Sequence, residues 1–184
     1  MSLSPSALLL RARIWIVIMM AGLVLAGVTA FPLTHEAQWL WSLVDRPFFV
    51  RHMPWLVTWI HTVDVGIVNT SIKYPFIAYG TDWLAYAHLM IAIAFIGPLR
   101  DPVRNIWVIQ FGMISCLAII PLALIAGPVR GIPFWWTCID MSFGVFGLVP
   151  LLVVYRYVRL LSEQDSRSWV GRMAEPVASD QSVS

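Results

Sequence analysis

Four side chains in this chain could do acid-base or ligating chemistry: His88 and Asp140 inside oily segments, and His61 and Asp64 three positions apart in a more polar one. His88 falls within 82–97 and Asp140 within 134–155, each about six residues, or roughly 9 Å of helix, from the same end of its segment. Ionisable groups at bilayer depth are costly, so they turn to the protein interior, find a partner and mark a path or pocket. An imidazole and a carboxylate at one depth could hold a proton, orient the imidazole for a metal ion, or act as a base with its orienting carboxylate. A hydrogen-bonded core histidine and an aspartate that pins two helices account for the same residues without chemistry.

The neighbours of both residues argue for an inward face. Asp140 shares a helical face with Gly144 and Gly147, at i+4 and i+7, and His88 with Ala85 and Ala92, at i−3 and i+4. Small residues let a second helix approach closely. His61 and Asp64 share one side of a helix by their i,i+3 spacing. They have the outline of a metal-binding helix without the several Glu ligands of a di-iron bundle, and a solvated polar face explains them equally well. If that helix folds over the mouth of the bundle, His61, Asp64, His88 and Asp140 converge on one water-accessible pocket.

Other polar positions have structural readings. Thr81 and Asp82 read as an N-cap, and Thr34 as the cap of a helix through Val44. Gln110, Ser115 and Ser142 can hydrogen-bond across helices, and Pro121 and Pro150 each free a carbonyl one turn earlier. Arg100 and Arg104 flank Asp101 and Pro102 in a compact basic turn suited to anionic lipid headgroups, or simply orienting the helices. Cys116 and Cys138 lie in apolar runs and read as small hydrophobes. Gly97-Pro98 and Gly127-Pro128 each follow an apolar run and read as helix stops.

The elements that must position these groups are membrane spans. Of the 184 residues 59% are hydrophobic and 12% charged, with a mean hydropathy of +0.77, far from the roughly 25% charge of a soluble domain. Apolar runs near 12–31, 80–97, 106–126 and 134–156 approach the roughly 20 helical residues that cross a hydrocarbon core, and in lipid such runs must be helices. The first run is too long for the usual core of a signal peptide, about 7–15 residues, and is expected to be a retained span. Ten Trp fit interfacial belts.

The expected fold is therefore an all-α integral membrane protein, a four-helix transmembrane bundle forming one domain over 1–161. Arg11, Arg13, Arg100, Arg104, Arg156 and Arg159 would lie beside spans on one side, against Arg46, Arg51, Lys73 and Arg130 on the other. That density predicts an N-in, C-in arrangement in the cell inner or plasma membrane. Residues 32–79 would form an extracytoplasmic amphipathic helical loop, with Trp39, Trp41, Trp55 and Trp59 as anchors. Residues 162–184, rich in Ser, Asp, Glu and Gln, are expected to be a disordered cytoplasmic tail.

The net charge of +2 gives no case for nucleic acid. Serine-hydrolase, zincin, P-loop and dinucleotide motifs are missing from the sequence. Three readings stay open: a polar pocket near the extracytoplasmic face for a small ligand, proton or metal ion; an accessory or scaffold subunit, with membrane-protein partners or a second copy; and a membrane-embedded enzyme using a His/Asp pair. No particular cofactor is implied.

Overall fold

Proline punctuates this chain into helices. The computed structural model describes the backbone of residues 4–174 and the side chains of residues 4–166, and every regular element among them is helical. Helix α1 spans Pro5–Ala30, α2 Leu33–Val44, α3 Pro47–His52 and α4 Pro54–Lys73. A 3-10 turn at Pro75–Ile77 leads into α5, Ala78–Ala94, followed by α6, Ile96–Arg100, α7, Ile106–Val129, and α8, Phe134–Ala174. Pro47, Pro54 and Pro75 each sit in the first turn of their element, where the missing N–H would have had no partner. Four stretches are long and apolar enough to cross a membrane: Pro5–Ala30, Pro75–Arg100, Ile106–Val129 and Phe134–Ser166. The architecture is that of a multi-pass membrane protein.

The chain divides into two compact units. One comprises the residues up to Met19 together with the chain from Ala94 onward, and its closest helix pair is α7 with α8. Gly112 admits Leu151 and Phe95 so closely that a Cβ would meet both at 3.0 Å. Around them Ile109, Leu151, Val154 and Val158 are fully buried, the last three at the i, i+3, i+7 spacing of one helical face. Arg13 of α1 donates from Nε to the Leu99 carbonyl and from a terminal nitrogen to the Arg100 carbonyl, both at 3.1 Å. Those carbonyls end α6, where the helix dipole favours a cation. The following turn is held by Asp101 Oδ1, which accepts from Arg104 N at 3.0 Å, and by Asn105 Nδ2, which donates to the carbonyls of Gly97 and Asp101.

The other unit, Met20–Ile93, packs α2 on α4. Ala37, Val44 and Ile60 are buried there. Within the same unit, Gly27 of α1 lies against α5, where a Cβ would stand 2.9 Å from the Ala85 carbonyl oxygen.

Several local expectations are corrected. Thr34 does not cap α2, which starts at Leu33 with no side-chain cap; its hydroxyl instead pairs with Ser71 of α4 at 3.2 Å. Thr81 and Asp82 lie inside α5, not at its start, and the Thr81 hydroxyl donates back to the Ala78 carbonyl. Pro75 sets the entry to this span, so the chain is already helical when it reaches them. Neither Gly-Pro pair stops its helix. Gly97-Pro98 lies within α6, and α7 runs through Gly127-Pro128 to Val129. The stop is Gly131, whose φ of +69° carries a Schellman closure: Ile132 N donates to Gly127 O and Gly131 N to Pro128 O. Residues 162–174, expected to be disordered, continue α8. A helix already nucleated propagates cheaply through Leu, Glu, Gln and Arg. The remainder of that expected tail lies outside the described residues.

Candidate functional site

Within unit Met20–Ile93 a groove of about 450 Å³ lies among the end of α1, α2, α4 and the start of α5. Small-molecule sites commonly occupy about 300–1,000 Å³. Its α4 wall repeats every three to four residues, through Trp59, Thr62, Val63, Gly66, Ile67 and Thr70, so one helical face supplies it. Thr34 and Ser71 enter already joined by their hydroxyl pair, and Thr81 enters from α5. Phe31, Ile77 and Ala78 complete an apolar rim. Five hydroxyl residues converge here, and no charged side chain lines the groove.

Those hydroxyls differ in what they can still offer. The Thr62 hydroxyl donates to the Thr58 carbonyl at 2.8 Å and the Thr81 hydroxyl to the Ala78 carbonyl at 2.6 Å. A hydroxyl carries one proton and two lone pairs, so each of these retains only acceptor capacity. In the Thr34–Ser71 pair one proton is spent on the other oxygen, which leaves a single hydroxyl hydrogen between them. The Thr70 hydroxyl, which also lines the groove, keeps its proton, so the groove offers both donors and acceptors.

None of the four residues singled out by the sequence lines this groove. His61 is exposed, and its ring lies against Trp41 of α2 with centroids 4.6 Å apart. Asp64 is half-buried, with Oδ1 shielded from solvent and lacking a hydrogen-bond partner. Both belong to α4 but fall off its groove-facing stripe, because the 61 and 64 positions point away from the 59, 62, 66, 70 line. His88 is half-buried on α5, and its Nδ1 is engaged with the Leu84 carbonyl of its own helix at 2.8 Å. Its companions Ala85 and Ala92 are buried.

Asp140 belongs to the other unit and is half-buried on α8. The face it shares does meet a helix: a Cβ on Gly144 would lie 2.5 Å from the Cys116 carbonyl oxygen, and one on Gly147 3.0 Å from Cys116 Sγ. Cys116 is buried and Cys138 exposed, both as free thiols. Arg100 and Arg104 are exposed. A second depression, about 540 Å³, lies in this unit beside Val103 and Ile106, with Arg159, Ser162 and Glu163 of α8 on its wall. Among the described residues no three His, Cys, Asp or Glu side chains gather as a metal-binding set.

Sequence reasoning missed the groove because its polar members are Thr and Ser on helices, where they read as caps or silent interior positions. The one available signal was the run of Thr and Ser at 62, 70 and 71 on a helix that also carries Gly66. The chain matches no protein-family model, no curated protein and no solved structure.

Proposed function

We propose that this protein sits N-in, C-in in the cell inner or plasma membrane, and that its extracytoplasmic helical segment, 32–79, takes up a small molecule in the groove beside α4. The arginine density beside the spans supports the orientation. The observation that carries the binding role is the convergence of five hydroxyl residues on an uncharged, apolar-rimmed groove of about 450 Å³. Gly66 supplies the test, since nothing lies within 4 Å of a Cβ built there. The backbone at 66 therefore tolerates a side chain, and Gly66→Phe should set a bulky ring on this wall of the groove. Native mass spectrometry after gentle solubilisation should find a small molecule on the parent that the variant lacks, at an unchanged melting temperature. A parent that carries none, or a variant that carries as much, refutes the reading.

A second reading, an accessory or scaffold subunit, is favoured by the spans themselves, whose most apolar windows are only 17% to 28% buried. Lipid, a second copy or another membrane protein must cover the rest. Size on a native gel separates these cases, and a particle of monomer mass counts against the subunit role. His88 and Asp140 each keep a proposal of their own, as groups handling a proton, a ligand or an enzymatic step, and His61 and Asp64 keep theirs as ligand-binding polar groups of α4. Exposed Arg100 and Arg104 suit anionic headgroups at the cytoplasmic surface.

A further inference from the structure

We propose that the molecule held in the groove is a lipid with an uncharged, hydroxyl-bearing headgroup; this rests on the groove reading above and names its ligand class. The first argument is level. Phe31 directly follows the last residue of α1, and Ile77, Ala78 and Thr81 open the second candidate span. A groove walled by the ends of two spans lies where acyl chains give way to headgroups.

The second argument is hydrogen-bond polarity. Thr62 and Thr81 have spent their protons on the carbonyls of their own helices and can only accept, whereas Thr70 and the Thr34–Ser71 pair can each still donate one, so the groove suits a group that donates and accepts at once, as a hydroxyl does. A phosphate or carboxylate headgroup brings acceptors and negative charge to a wall without Lys or Arg, and an ammonium brings positive charge to a wall without Asp or Glu. A charge that gives up part of its water against an uncharged, apolar-rimmed wall gains no partner in return. Glycerol or sugar hydroxyls donate and accept without that loss.

The third argument is the rim. Phe31 is 47% and Ile77 51% exposed, and neighbouring Phe76 is 72% exposed. This apolar surface runs out from the groove and suits an acyl chain, which a free sugar lacks.

The test uses the full chain in phosphatidylcholine nanodiscs doped with equal amounts of glucosyl diacylglycerol and phosphatidylserine of the same acyl length, read by native mass spectrometry. The glycolipid should be retained at least about 10-fold over the anionic lipid, a ratio that about 1.4 kcal/mol of discrimination supplies. Thr62→Val and Thr81→Val keep the side-chain shape and remove one acceptor each, so each should weaken glycolipid retention about 3- to 10-fold. Gly66→Phe should abolish it, and methyl glucoside should compete only weakly. Equal retention of both lipids, or Thr→Val variants that bind like the parent while Gly66→Phe does not bind, overturns the headgroup assignment and leaves the groove standing. Glycolipid binding that survives Gly66→Phe overturns the groove as well. Displacement by methyl glucoside at the affinity of the glycolipid overturns the lipid source.

Discussion

Replacing Gly144 with Ala should destabilise the protein although it adds one methyl group. A Cβ at 144 would lie 2.5 Å from the Cys116 carbonyl oxygen and 3.4 Å from Ile119 Cβ. Carbon-to-oxygen contacts between helices settle at about 3.3–3.6 Å, so α7 and α8 would have to part by nearly 1 Å. The obstacle is backbone, which cannot swing aside as a side-chain tip does. Overpacking of this kind costs about 1–3 kcal/mol, against which Ala regains about 0.5–1 kcal/mol over Gly within a helix. With a backbone obstacle the cost lies toward the top of that range, so the net loss is up to about 2.5 kcal/mol, or up to about 10 °C in melting temperature for a chain of this size. Two controls grade the effect. At Gly147 the nearest atom is Cys116 Sγ, at 3.0 Å, and at Gly22 nothing lies within 4 Å, so Gly147→Ala should cost less and Gly22→Ala should raise stability by about 0.5–1 kcal/mol. Melting can be followed in detergent by a thiol-reactive coumarin in a Cys138→Ala background, where buried Cys116 reports on the interface itself. If Gly144→Ala melts with the parent, or Gly22→Ala falls as far, the α7–α8 backbone contact is not what holds this unit.

Arg13→Gln removes two donors from the carbonyls that end α6; because Arg13 is exposed, the expected loss is about 1 kcal/mol by thermal melting, with Arg13→Lys recovering part of it, and a Gln variant as stable as the parent refutes the clamp. For N-in, C-in topology, a membrane-impermeant maleimide on intact cells should label Ser42→Cys and Arg130→Cys, both at exposed positions, but not Arg104→Cys in a background lacking Cys116 and Cys138; the reverse pattern inverts the protein. If His88 and Asp140 carry chemistry, His88→Ala and Asp140→Asn should keep the melting temperature of the parent while changing proton uptake or bound species. Unfolding of both, or no change in either, assigns them to packing.

The four spans were legible because lipid forbids alternatives: an apolar run of membrane length has only the helix in which to satisfy its backbone. The small-residue faces were legible for a related reason, since Gly144 and Gly147 at helical spacing have no use on a lipid-facing surface, and they do receive α7. Boundaries were less legible. Thr34, Thr81 and Asp82 have the composition of caps, but a cap requires a non-helical backbone at that residue, and Pro75 and Leu33 start their helices earlier. Gly127 looked like a terminator, yet its missing side chain is used sideways: a Cβ there would meet Thr137 Oγ1 at 2.7 Å. Gly serves close approach and chain reversal alike, and only the positive φ of Gly131 separates the two uses.

Charge and hydroxyl leave unequal traces in a membrane sequence. An Asp or His in a span is conspicuous because its desolvation must be repaid by a partner or a function. A Thr is inconspicuous because it can satisfy its own proton on the carbonyl one turn back, as Thr58 does with Pro54, Thr62 with Thr58 and Thr81 with Ala78. That same self-satisfaction turns a line of threonines into a row of acceptors, with chemistry that depends on where the protons have gone. Reading by conspicuous residues therefore led to His88 and Asp140, whereas the concave surface beside α4 is built from residues that cost nothing to place. The distinction is physical: an ionisable residue in a span marks a penalty that something must offset, and a threonine bonded to its own helix marks none.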